Sequence, residues 1–224
     1  MIILGIETSS IVCGLALSDG ILQDVRPIAQ IGLNIPNAHS EKIMLLMDEL
    51  LMNSGIEKRN IEGIAVSIGP GSFTGLRIGL STAKGLAYGL DVPVVGVPTL
   101  DVIAEKVKFL DKKLHVATSS RKNEYYYSSY LGGEKIYDYE VVSSEELVNR
   151  IQPDSALISD NAMAIVDSIP EKIRKSVLIL EKDFAHPDAY YVAKLGYQKI
   201  LNRQIDSLGS LVPMYVQEFR GSKV

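Results

Sequence analysis

The residues of this chain best placed to do chemistry lie in two short stretches, Glu7-Thr8-Ser9-Ser10 and the Gly-rich run from Ser67 to Ala87, SIGPGSFTGLRIGLSTAKGLA. A glycine turn that leads into a helix offers successive backbone N–H groups and the positive end of the helix dipole, and together these attract phosphate. The hydroxyls of Thr8, Ser9 and Ser10 can line a nucleotide cleft or satisfy an ordinary turn, and the local sequence supports both readings. The glycine spacing matches neither G-x-x-x-x-G-K-[ST] nor G-x-G-x-x-G, and Lys84 lies too far into the helix to act as a phosphate-loop lysine. Gly75, Gly79 and Gly85 each weaken a helix interior by about 0.5–1 kcal/mol, so several on one helix imply close approach of another backbone or a ligand. A structural or interface role is therefore favoured over nucleotide binding.

No other constellation points to catalysis. Cys13 is the only cysteine and sits in an apolar strand-like run, where it reads as a small buried hydrophobe. His39 stands at a helix start, where it can act as a cap, while His115 and His186 are far from it in sequence; a metal site is not expected. Tyr125, Tyr126 and Tyr127 alternate across a strand and read as packing, with Arg121-Lys122 as a solvated turn. No Ser/His/Asp or Cys/His arrangement is present, so no catalytic residue is assigned.

The elements that must position these residues follow from periodicity. A chain of 224 residues with 46% hydrophobic content can bury a sizeable core, and its net charge of −4 supplies no basic footprint for gripping nucleic acid. No apolar stretch reaches the ~20 residues of a membrane span, so neither a signal peptide nor a membrane helix is supported and a cytoplasmic protein is expected. Residues 2–7 and 12–18 read as strands, with Asp19-Gly20 as the hairpin turn before a third. Ile43, Leu46, Met47, Leu50 and Leu51 recur at helical spacing. IEGIAVSIG and VPVVGVP flank the Gly-rich helix as parallel strands, and a short helix begins at Thr99. The second half repeats this order: three strands (LHVATSS, NEYYYSSYL, EKIYDYEVVS), a helix with a capping box at Ser143 or Ser144, two short buried strands (SALIS, SVLIL) and a closing helix, PDAYYVAKLGYQKILNR. The fold class is α/β with two related lobes, 1–107 and 108–224, the second abbreviated and its closing helix able to pack back onto the first.

ILGIETSS, AHSEKIMLLMDELL, SIGPGSFTGLRIGLSTAKGLA with VPVVGVPTLD, and the late VPMYVQ together resemble the TsaB (YeaZ) family. The resemblance spans essentially the whole chain, strongest over 1–107 and thin from about 132 to 205. It implies the actin, sugar kinase and Hsp70-like (ASKHA) fold, in agreement with the doubled element order. It also implies a non-catalytic subunit in bacterial synthesis of N6-threonylcarbamoyladenosine on tRNA, paired with the catalytic paralogue TsaD and the ATPase TsaE, meeting tRNA only indirectly and carrying no cofactor of its own. Where TsaD holds its metal with HxxxH, this chain has Thr99 and Ile103, and neither replaces an imidazole ligand. Where the family commonly has an acidic residue in the second lobe, this chain has Ser119.

The resemblance further implies that the first two helices, about 39–53 and 73–89, pack against TsaD as a helical bundle. Met44, Met47, Leu51, Gly71, Gly75, Arg77 and Gly79 are then the expected partner interface, with the small residues admitting a helix closely and flexible methionines tolerating more than one geometry. The face of Ile43, Met44, Met47 and Leu51 reads equally as core. The isolated chain is expected to homodimerise through the same surface. An ATP-binding enzyme working through Thr8–Ser10 and GPGSFTG is the alternative.

Overall fold

The Val- and Ile-rich runs of the first half belong to one five-stranded sheet, and the strands at its centre lack polar alternation because both of their faces are covered. The structure, a computed structural model, describes residues 1–22, 24–35 and 38–216, the side chains of 38–41 excepted. The expected cap at His39 falls among those excepted side chains. Strands β1 (Ile2–Glu7), β2 (Val12–Ile21) and β3 (Asp24–Asn34) form an antiparallel meander; β4 (Gly63–Gly69) and β5 (Val94–Pro98) add in parallel, in the order β3-β2-β1-β4-β5. Helices α1 (Ala38–Ser54) and α2 (Phe73–Leu90) cover one face, where Leu4, Ile6, Ile64 and Val66 meet Leu46, Met47, Leu80 and Ala83. The intervening positions Ile3 and Ala65 point to the other face, with the period-2 geometry of a strand.

The first reversal does not fall at Asp19-Gly20. Both belong to β2, whose pairing with β3 runs on to Ile21 opposite Asp24, and Leu22 takes a left-handed φ of 57°. Gly20 is a glycine for a packing reason, because a Cβ there would run into the Tyr197 ring.

A short α3 (Thr99–Glu105) leads to the second sheet, in which β6 (Leu114–Arg121), β7 (Glu124–Leu131) and β8 (Glu134–Ser143) form another meander. Helix α4 (Ser144–Arg150) starts on a capping box of Ser143 and Glu146. Strand β9 (Ala156–Ser159) pairs parallel to β6; helices α5 (Ala162–Val166) and α6 (Glu171–Arg174) precede the two-residue β10 (Leu178–Ile179), giving β10-β9-β6-β7-β8. Tyr125 and Tyr127 are buried with Leu147, Leu157 and Ile165, as packing predicts.

The closing helix α7 (Ala189–Leu201) packs on β1, β2 and β4 of the first sheet. Gly5 on β1 has no side chain where the Ala189 carbonyl comes down. The chain accordingly divides into one compact unit of Met1–Val102 with Pro187–Met214, and a second whose body is Ile103–His186. This division falls within α3, earlier than the 107/108 boundary drawn from the sequence, and it returns 187–214 to the first unit because α7 supplies the second cover of the first sheet.

Candidate functional site

The Glu7–Ser10 segment and the Gly-rich loop come together, but they are closed on each other. β1 and β4 are parallel neighbours, so their C-terminal ends emerge side by side. Thr8 N–H donates to Ser67 Oγ (3.3 Å), and Ser72 N–H donates to the Ser9 carbonyl (2.7 Å). Ser72 caps α2, its hydroxyl accepting from Gly75 N–H (3.2 Å). Three backbone donors that a phosphate could use, the N–H groups of Thr8, Ser72 and Gly75, are thus already engaged. The glycine spaces are filled as well: a Cβ on Gly71 would strike the Ser9 carbonyl, one on Gly75 the Thr8 carbonyl, and one on Gly79 the Thr8 hydroxyl. The close approach that these glycines permit is that of the chain's own β1–β2 turn.

Three of the expected interface positions are corrected by this. Gly75 and Gly79 are buried against Thr8, and Gly71 is half-buried against Ser9. Met47 is corrected too, since it is fully enclosed in the core between α1 and the sheet, and Leu51 is half-buried at its margin. Met44 and Arg77 do face outward, and so do further large apolar side chains of α1 and α2: Leu45 (59% exposed), Met52 (75%), Phe73 (54%) and Tyr88 (81%). The Arg77 guanidinium lies over the Phe73 ring, 3.7 Å from its centroid, which holds an exposed cation and an aromatic face in one fixed pair. A Cβ at Gly85 or Gly89 would meet open space. The phase of Leu76, Leu80, Ala83 and Ala87 was the available signal, since that stripe marks the buried face of α2 and leaves 73, 77, 81, 85 and 88 on the other.

Beneath the turn lies Glu7, fully buried. Its Oε1 accepts from Ser9 N–H (2.5 Å) and Ser9 Oγ–H (2.6 Å), whereas Oε2 has no partner among the described residues. Burial, reinforced by the Asp188 charge and opposed by the bonds from Ser9 and Ser67, pushes this carboxyl up to about 7. Burial and the Glu7 charge push the neighbouring Cys13 thiol up to about 11, so it is held as the unreactive thiol. Thr99 and Ile103, one turn apart on α3, are 3% and 0% exposed. Among the described residues no three His, Cys, Asp or Glu side chains form a metal-binding group, and no helix is long and apolar enough to cross a membrane.

In the second unit Ser119 recovers a carboxylate partner from the next strand: its N–H and hydroxyl both donate to Asp160 Oδ1 at 2.9 Å. Asp160 was not visible from local sequence because it comes from the end of β9, forty-one residues on.

Comparison with known proteins places this arrangement. The family model described as "TsaD: tRNA N6-adenosine threonylcarbamoyltransferase" matches residues 34–152. A Haemophilus influenzae protein described as tRNA threonylcarbamoyladenosine biosynthesis protein TsaB is 29% identical over 230 residues, covering 96% of this chain and 93% of that protein. A Geotalea daltonii tRNA N6-adenosine threonylcarbamoyltransferase is 51% identical over 59 residues, 26% of this chain and 17% of that enzyme. Among solved structures, a Pseudomonas aeruginosa protein described as similar to peptidase YEAZ superposes with a TM-score of 0.79 at 23% identity, over 96% of this chain and 99% of that one. That likeness extends to the whole α/β fold.

Proposed function

Because the chain belongs to the TsaD family, within its TsaB (YeaZ) branch, we propose that it takes part in tRNA threonylcarbamoyladenosine biosynthesis as a non-catalytic subunit that docks on a TsaD-type transferase. The observation that carries this reading is the outer face of α1 and α2, where Met44, Leu45, Met52, Phe73 and Tyr88 stand in water although each is large and apolar. Large apolar residues left exposed on two helices that touch each other suit an association surface, and aromatic and Arg anchors such as Phe73 and Arg77 commonly carry most of the binding energy. The buried Thr99 and Ile103 support the non-catalytic part, since neither side chain offers a nitrogen or carboxylate to a metal. The complex includes a TsaE-type ATPase, works in the cytoplasm and meets tRNA through the transferase. Alone, the chain pairs with a second copy through the same helices.

The test is reconstitution. Transfer to tRNA by the TsaD-type enzyme should require this chain and should be undetectable with this chain alone; transfer by the isolated chain overturns the reading. Phe73→Ala with Arg77→Ala should weaken the heterodimer by tenfold or more with an unchanged melting temperature, because both side chains are exposed. ATP titrated into the isolated chain by calorimetry should give no tight magnesium-dependent binding; tight binding with turnover would favour the enzyme alternative.

A further inference from the structure

The first sheet ends on β3 at one side and on β5 at the other, and the two edges are protected differently. An edge strand presents unpaired N–H and C=O groups on which a strand of another chain can form. β3 carries its own protection: Pro27 and the charged Asp24 and Arg26 lie within it, and its register with β2 shifts between Leu17 and Ser18. The middle of β5, Val94-Val95-Gly96-Val97, is uncharged, and Pro98 at its end is its only residue without an N–H. A short β-branched run of this kind pairs readily with copies of itself. The Ile64 N–H donates to the Pro93 carbonyl (2.9 Å), so the alternate residues Val94 and Gly96 turn their backbone groups away from β4.

Three of those outward groups are met by one segment that is not a strand. Asp206 N–H donates to the Val94 carbonyl (3.1 Å), Gly96 N–H donates to Asp206 Oδ2 (2.8 Å), and Lys199 Nζ donates to the Gly96 carbonyl (2.6 Å). Asp206 thus replaces a neighbouring strand with a single residue, its carboxylate standing in for a second carbonyl. The end of α7 delivers it. Arg203 takes a left-handed φ of 59°, its N–H donates to the Ile200 carbonyl (3.0 Å), and Gln204 N–H donates to the Lys199 carbonyl (2.9 Å), a helix stop that turns the chain toward β5. Farther on, Leu211 is 2% exposed and fills the space over Gly96, where a Cβ would come within 2.9 Å of its Cδ1. Met214 N–H then donates to the Ile68 carbonyl at 2.7 Å, so the segment is fastened at both ends and in its middle.

We propose that residues 199–214 form an edge guard, whose Asp206 and Lys199 hold the outward backbone groups of β5 and so keep this strand from pairing with the β5 of a second copy. Opening the guard creates a self-complementary surface separate from α1 and α2, because two identical edge strands pair antiparallel across a twofold axis. The charge that β3 carries in its own sequence reaches β5 from a residue 110 positions beyond Gly96.

The experiment compares the full-length protein with an Asp206→Ala, Lys199→Met double variant by native-state amide exchange and sedimentation velocity. Gly96 N–H should exchange at least about tenfold faster in the variant, and species larger than those of the parent should grow with concentration. Cys13, fully buried in the fold, is the control for unfolding and should stay inert to a thiol reagent in the associated species. Adding Phe73→Ala and Arg77→Ala should leave that association in place, which separates it from pairing through α1 and α2. Asp206→Asn keeps an oxygen for the Gly96 N–H and should behave as the parent. If the double variant does not fold, Asp206→Ala alone, at a half-buried position, takes its place in the same measurements. Unchanged Gly96 exchange, a parent-like sedimentation profile, or association that appears only with a reactive Cys13 would each overturn the proposal.

Discussion

The two units are built on one plan, and the place where they diverge explains the first one. In each, a three-stranded meander is succeeded by a strand that pairs parallel to the first of the three. If Ile6 and Val66 are matched with Ala117 and Ser159, the last parallel pairs of each sheet, then Thr8 corresponds to Ser119 and Ser67 to Asp160. The same bond recurs at that position: Thr8 N–H donates to Ser67 Oγ in one unit, and Ser119 N–H to Asp160 Oδ1 in the other. Beyond the parallel strand the two units part. The first continues into an 18-residue helix with Gly75 and Gly79 seated on Thr8; the second continues into the five-residue α5, which contains no glycine. The glycines are thus a device for laying a long helix directly on the turn of its own unit, and the helix's other side is left exposed.

Two identical substitutions with opposite expected signs test that comparison most severely. Gly75→Ala places a methyl against the Thr8 carbonyl, a backbone atom with little freedom to move, and should cost about 3 kcal/mol in urea unfolding. Gly85→Ala, on the open side of the same helix, should instead stabilise by up to about 1 kcal/mol through helix propensity alone. If the two changes behaved alike, the assignment of inner and outer faces would fail.

Glu7 offers the next largest effect, and it has no counterpart in the second unit, where the matched residue is Thr118. Its folded-state value near 7 lies above the ordinary 4.5, so the folded chain holds the proton more tightly than the unfolded one. The stability this contributes is complete below about pH 4.5 and is lost as pH rises to 7 and beyond, by an amount on the order of 2–3 kcal/mol. Glu7→Gln should flatten that decline, so unfolding midpoints at pH 5 and pH 8 should converge in the variant and differ in the parent. A parent curve already flat across that range would show the carboxyl to be better solvated than its burial indicates.

The α/β class and most of the doubled order of elements were legible because apolar runs, glycine and proline punctuation and the Ser143 capping box are local signals. The positions of Asp160 and α7 were not local. Asp160 reaches Ser119 only after β9 has paired with β6, and α7 joins the first sheet after a whole intervening unit. Which positions of α1 and α2 face outward was legible only in part. Met44 and Arg77 emerge on the surface, whereas Met47, Gly75 and Gly79 turn inward, since a glycine that invites close approach does not say whether the visitor is another chain or the preceding turn.

The smallest effects separate the two matched bonds by their surroundings. Ser67 is fully buried, so Ser67→Ala strands the Thr8 N–H without water and should cost about 1–2 kcal/mol. Asp160→Ala removes a charged acceptor, yet the Ser119 donors are exposed and water takes its place, so the loss should stay below about 1 kcal/mol. The stronger acceptor in isolation is thus expected to matter less, because burial decides what replaces it. Equal losses measured by urea unfolding would mean that the second unit encloses this corner as tightly as the first, and the short α5 would then have to be credited with the cover that α2 provides.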